Sequence, residues 1–95
     1  MYHPTLDDHA TNLPDELLPL REQLAEDIHN TWAAGRLSEG WQYGTALDRE
    51  NKLHPCLVPY DRLPESEKDY DRRTAAATIR CILSHGYQIT KENDV

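Results

Sequence analysis

Gly40-Trp41-Gln42-Tyr43-Gly44 and, ten residues on, His54-Pro55-Cys56-Leu57-Val58-Pro59-Tyr60 decide how this chain reads. These stretches crowd bulky aromatics, two glycines, a histidine and two prolines together. Neither the 3.6-residue repeat of a helix nor the alternation of a strand runs through them. A loop that keeps large aromatics beside Gly and Pro has a defined shape and is a natural place for a site. Two short strands are expected inside it, at Trp41–Tyr43 and Cys56–Val58.

On either side the pattern turns helical. Leu17, Leu20, Leu24, Ile28 and Trp32 recur every three or four residues and form one apolar stripe. Pro19 is tolerated only in a first turn, so a loose turn over 14–18 should lead into a regular helix over 19–36, with Gly40 ending it. After the loop, Leu63-Pro64-Glu65 restarts a helix whose stripe is Ala75, Ala76, Ile79, Ile82 and Leu83. Gly86, following His85, is the expected terminating residue. Tyr87 and Ile89 suggest a short closing strand. Residues 1–12 read as extended and turn-like, 91–95 as a frayed polar tail. The fold class is therefore mainly α with minor β: antiparallel helices, short strands and a structured aromatic loop, in a single domain over 1–90.

Charge narrows the range of partners. The net charge is −7, but residues 1–35 carry −6 of it, 36–62 are neutral and 63–95 carry −1. Nucleic-acid polymers are excluded as expected partners, because their binding leans on a basic surface that releases counterions. The neutral aromatic loop is the one region suited to a small anion. No apolar run reaches membrane-spanning length, and Met1-Tyr2-His3-Pro4 lacks the features of a signal peptide. Cys56 and Cys81 do not form a disulfide framework, so a reduced, cytoplasmic protein is expected. Ninety-five residues with 38% hydrophobic content and no Phe make a small core, which a homodimer would help close.

Several chemistries compete. Cys81 and His85 stand four apart on a helix, and His54 and Cys56 two apart in the loop, so four soft ligands exist for a metal. No Cys-x-x-Cys pair accompanies them, and Cys81 suits a helix core equally. No nucleophile elbow, phosphate loop or oriented base is present. The acids Glu26-Asp27 and Asp69/Asp71 read as solvated helix faces. The expectation is therefore a non-enzymatic protein without cofactor or metal. His29, one position past Ile28, reads as a boundary histidine bonded to an acid or a carbonyl, and Trp32 as core. Trp41 follows a glycine beyond the helix end and does not extend the stripe. It can pack beneath the 54–60 loop, or serve as a stacking platform for a planar ligand. Tyr43, Arg49, Lys52, His54 and Tyr60 would then complete a ligand site, with Arg and Lys suited to phosphate.

From Tyr2 to Ile89 the chain resembles the RyR domain, the repeat that occurs as tandem pairs in ryanodine receptor channels and as standalone or fused domains in microbial proteins. Tyr2-His3-Pro4, Leu24-Ala25-Glu26-Asp27-Ile28-His29, Trp32, Gly40-Trp41-Gln42-Tyr43-Gly44, His54-Pro55-Cys56-Leu57-Val58, Leu63-Pro64-Glu65 and Gly86-Tyr87 carry the resemblance. It implies pairing of two repeats about a pseudo-two-fold axis, which a single-repeat chain could recreate as a homodimer. It further implies an adenine-nucleotide-accepting cleft lined by the Trp that follows Gly, here Trp41. Calcium conduction does not carry over, since the channel's pore lies outside this domain. Where the family reads Pro-x-Arg-Asp after Tyr-Gly, this chain has Thr45-Ala46-Leu47-Asp48, with Arg49 displaced by two. The alternative to ligand sensing is a protein-interaction module with no small ligand, its acidic first helix setting charge complementarity.

Overall fold

The computed structural model of the chain describes residues 1–4 and 13–92. The extended reading of 5–12 and the last three residues of the expected tail lie outside them. A 3-10 turn at Asp15–Leu17 leads into α1 (Leu18–Ser38), followed by β1 (Gln42–Tyr43) and β2 (Leu53–His54). A second 3-10 turn, Tyr60–Arg62, precedes α2 (Glu65–Ser84). Pro19 falls in the first turn of α1, where its missing N–H would have no partner in any case.

Both helices stop the same way. Gly40 has φ +92° and donates to the Leu37 carbonyl, while Trp41 N–H reaches back to the Arg36 carbonyl at 3.0 Å. Gly86 (φ +89°) and Tyr87 repeat these bonds to Leu83 and Ile82. This left-handed stop satisfies carbonyls the helix end leaves open, and it favours glycine because a Cβ is unfavourable at such φ. At α1 it also sets the direction in which Trp41 leaves the helix.

The helices are antiparallel. Leu17 and Leu18 at the start of α1 pack with Ile79 and Leu83 late in α2, whereas His29 and Trp32 share a cleft with Glu67 and Asp71 early in α2. Ala25 and Ala75, both fully buried in one cluster with Tyr60 and Leu63, mark the close approach. The buried line of α1 is thus Ala25 and His29, one position off the Leu24–Ile28 stripe, and Leu20 is exposed. Small side chains let the backbones approach, and the larger neighbours flank the contact. Ile82 is likewise exposed, and Cys81 lies on the surface instead of in the core. Trp32 is half-buried.

The strands differ from expectation. β1 and β2 pair in parallel, with Gln42 opposite Leu53 and Tyr43 opposite His54. The expected second strand, Cys56–Val58, is turn and bend, because Pro55 and Pro59 flank it and His54 Nδ1 folds over to accept the Cys56 N–H at 3.0 Å. Tyr87–Ile89 forms no strand; Ile89 instead packs as a half-buried side chain on the Leu13–Ile79 cluster. No helix among the described residues is long and apolar enough to cross a membrane.

Candidate functional site

His54 is the centre of the aromatic loop. The 48–53 loop that delivers it is tightly tied: Asp48 and Leu53 exchange both backbone hydrogen bonds at 2.9 Å. Asn51 adds a backbone and a side-chain bond to the Asp48 carboxylate, which holds that carboxyl below its ordinary range. Lys52 takes φ +56°, an uncommon conformation for a non-glycine residue. Its ammonium donates to the Glu39 carbonyl at 2.9 Å, closing the loop onto the end of α1.

From His54 a run of rings extends in two directions. Trp32 meets it edge-on with centroids 4.8 Å apart, and Trp41 lies 6.2 Å away. Beyond Trp32, His29 is 5.8 Å off and Tyr60 a further 6.2 Å. The Arg36 guanidinium sits over the Trp41 ring at 5.6 Å, a cation–π distance, and is held by Glu39 at 2.9 Å.

The two histidines have assigned roles. His29 is 4% exposed, and its Nε2 lies 2.7 Å from the Val58 carbonyl. A carbonyl only accepts, so Nε2 carries the proton and Nδ1 is an acceptor in the neutral ring. The carbonyl reading of His29 holds, but the ring is buried and its partner is the distant loop. His54 has the opposite arrangement: Nδ1 accepts from Cys56, leaving Nε2–H as a donor in the neutral ring. Burial, aided by Arg36 and Arg49 and opposed by Glu67, holds His54 below its ordinary pKa and keeps it neutral.

A cleft of about 260 Å³ opens beside these rings, lined by His29, Trp32, His54, Cys56, Leu63, Glu67, Tyr70 and Asp71. Burial pushes the Cys56 thiol up, with Glu67 and Asp71 adding to it, so the thiol is not an activated nucleophile. Burial also raises Asp71, with Glu67 adding and His29 opposing. These acids read from sequence as solvated or went unremarked. The signal available was their i, i+4 spacing, which sets Glu67 and Asp71 on one face of α2.

The six residues proposed from sequence do not all converge. Trp41 and His54 come together. Arg49 is exposed and lines a shallow depression with Thr45–Asp48 and Leu53. Tyr43 is 54% exposed, and Lys52 is engaged by Glu39. Tyr60 is buried and donates its hydroxyl to Glu22 at 2.8 Å, inside an ion network where Arg72 also holds Glu22 and Asp69. Among the described residues no group of three or more metal-ligating side chains gathers. His85 Nδ1 donates instead to the Cys81 carbonyl at 2.8 Å.

Two glycine-stopped helices, a loop stapled back onto the first, and Trp41 and His54 at their junction are thus built from the residues that carry the resemblance. The RyR domain family model matches residues 2–91, nearly the whole chain, and the chain belongs to the RyR domain family.

Proposed function

We propose that this RyR domain is a non-catalytic sensing module that binds a small planar anion of the nucleotide class, as a homodimer in which the Trp41 faces of two copies bracket the ligand's ring. One observation carries this reading. Trp41 is half-buried beside His54 and under a guanidinium, with Arg36 and Arg49 both acting electrostatically on His54. A stacking ring with cations on one side suits a ligand that is flat at one end and anionic at the other. Arg36, paired with Glu39 but lying over the Trp41 ring itself, joins Arg49 as the cation nearest the stacking face, while the Lys52 ammonium turns to the Glu39 carbonyl.

Dimerisation is favoured by the small core. The buried hydrophobic side chains include three alanines, while Leu37, Tyr43, Leu47, Tyr70 and Tyr87 remain exposed. An isologous pair would cover part of that surface. The reading places the protein in a reduced, cytoplasmic setting and gives it no nucleic-acid polymer or membrane partner.

Native mass spectrometry and calorimetry with adenine nucleotides test it. A dimer that binds nucleotide, with binding abolished by Trp41→Ala and the fold retained, is the expected result. Unchanged affinity in that variant would refute the Trp41 cleft. A monomer indifferent to nucleotides but captured by a protein partner in a salt-sensitive way would favour the interaction module.

A further inference from the structure

Away from the aromatic loop, the helix pair carries a second concentration of charge. A cavity of about 440 Å³ opens there, lined by Arg21 and Glu22 of α1 and by Asp69, Arg72, Arg73 and Ala76 of α2. Arg72 is wholly taken up by carboxylates. Its Nε and Nη2 reach Glu22 at 2.7 and 3.2 Å, and its Nη1 reaches Asp69 at 2.8 Å. Glu22 also accepts the Tyr60 hydroxyl. Both acids of the cavity are thereby engaged within the network, and Glu65, 3.7 Å from Arg72, does not line it.

Arg21 and Arg73 are left over. Among the described residues neither makes a hydrogen bond or an ion pair, and Arg21 acts on Glu22 only through space, as the least of the influences on that carboxyl. Arg21 is half-buried, and its Nε–H is shut off from water with no acceptor. Native structures seldom leave a buried donor in that state. The two uncommitted cations stand on different helices, and the lining holds three guanidiniums against two carboxylates. Arg21 is the sole Lys or Arg of residues 1–35, so the net charge of that acidic stretch conceals it.

From this geometry we infer that the Arg21–Arg73 cavity is a second binding site, for a small phosphate-class oxyanion, either free phosphate or a compact phosphomonoester. The two guanidiniums would clamp it from opposite helices, each offering a planar fork of N–H donors, while Arg72 stays with Glu22 and Asp69. A dianion is favoured over a carboxylate because two cations are uncommitted and both neighbouring acids are already paired. The volume equals roughly 15 water molecules at ~30 Å³ each, room for the anion and part of its hydration shell. The site is separate from the Trp41 face, since Arg21 lies about 22 Å along α1 from Arg36.

The full chain is titrated at neutral pH with inorganic phosphate, methyl phosphate and acetate, at ionic strength matched with NaCl, following the arginine Nε–H signals by NMR. Saturable shifts of the Arg21 and Arg73 signals with phosphate are expected, with acetate at least tenfold weaker. Methyl phosphate binding as tightly as phosphate identifies an ester as the fitting ligand, and weaker binding identifies the free ion. Arg73→Gln changes an exposed position, should keep the parent thermal midpoint, and should weaken phosphate binding by about tenfold. Arg21→Lys keeps the charge but removes the fork and the shielded Nε–H, so its midpoint should equal or exceed the parent's while phosphate binding falls. Trp41→Ala should leave phosphate binding unchanged, which separates this site from the nucleotide reading. Shifts no larger than those from NaCl, acetate binding as tightly as phosphate, or undiminished phosphate binding in either arginine variant would each overturn the inference.

Discussion

Gly44 links the loop's backbone to the position of His54. It follows β1 and donates to the His54 carbonyl at 3.3 Å. A Cβ added there would lie 2.6 Å from Leu53 Cβ, 3.1 Å from its Cδ1 and 3.2 Å from its Cγ. Carbon atoms rest at about 3.5–4.0 Å, so the first contact is roughly 1 Å too close. A rotamer change cannot relieve it, because a Cβ moves only with its backbone. In Gly44→Ala β2 must therefore shift away from β1, stretching the Gln42 N–H to Lys52 carbonyl bond of 2.9 Å and carrying His54 with it. Overpacking of this kind costs about 1–3 kcal/mol, which for a domain of this size lowers the thermal midpoint by roughly 5–20 °C. Thermal unfolding by circular dichroism measures the loss, and NMR shifts of the Trp41 and Trp32 indoles report the displaced His54 ring. Gly35→Ala is the matched control: its Cβ meets nothing within 4 Å, and in the α1 helix it should stabilise by up to ~1 kcal/mol. A Gly44→Ala protein with the parent midpoint and unmoved indole signals would refute the claim that this close approach sets the loop.

Three other outcomes follow from the ion network and the loop. Arg72→Ala leaves Glu22 and Asp69 without their guanidinium and should cost about 1 kcal/mol, the network being partly exposed and screened. Arg72, and secondarily Tyr60, hold Glu22 below 4.5, so the stability Glu22 contributes is present above that pH and lost as pH falls through its folded value; Arg72→Ala should flatten this acid limb of a midpoint-against-pH curve. Tyr60, pushed up to about 12 by burial and Glu22, loses the fold stability as pH rises from 10 towards that value, and Tyr60→Phe should remove this alkaline loss while costing ~1 kcal/mol at neutral pH. His54, depressed below 6.5, keeps its full contribution above 6.5 and loses it as pH falls towards the folded value; denaturant titrations of His54→Asn should show a shallower decline there, and an unchanged slope would contradict the neutral, Cys56-bonded ring.

The amino-acid order alone determined much of the frame. Helix periodicity, a proline confined to a first turn and glycines past the helix ends are local rules, and they located α1, α2 and both stops to within a few residues. The motif residues likewise identified the family. Sequence could not say which neighbour of the stripe is buried. Ala25 and His29 replace Leu24 and Ile28 on the buried line because Ala75 opposite allows close approach, a fact about two helices at once. Nor could it pair β2 correctly, since Leu53–His54 becomes a strand only through the parallel register with Gln42–Tyr43. That Trp41 and His54 come together was legible because both stand in the aromatic loop itself. The Glu67–Asp71–His29 cleft was not, because it needs α1 and α2 to meet antiparallel, with Lys68 and Arg72 drawn to other partners. Local propensity depends on each residue's chain neighbours, whereas the Val58 partner of His29 and the gathering of Glu67 and Asp71 beside it depend on groups tens of residues away, and only tertiary packing brings those together.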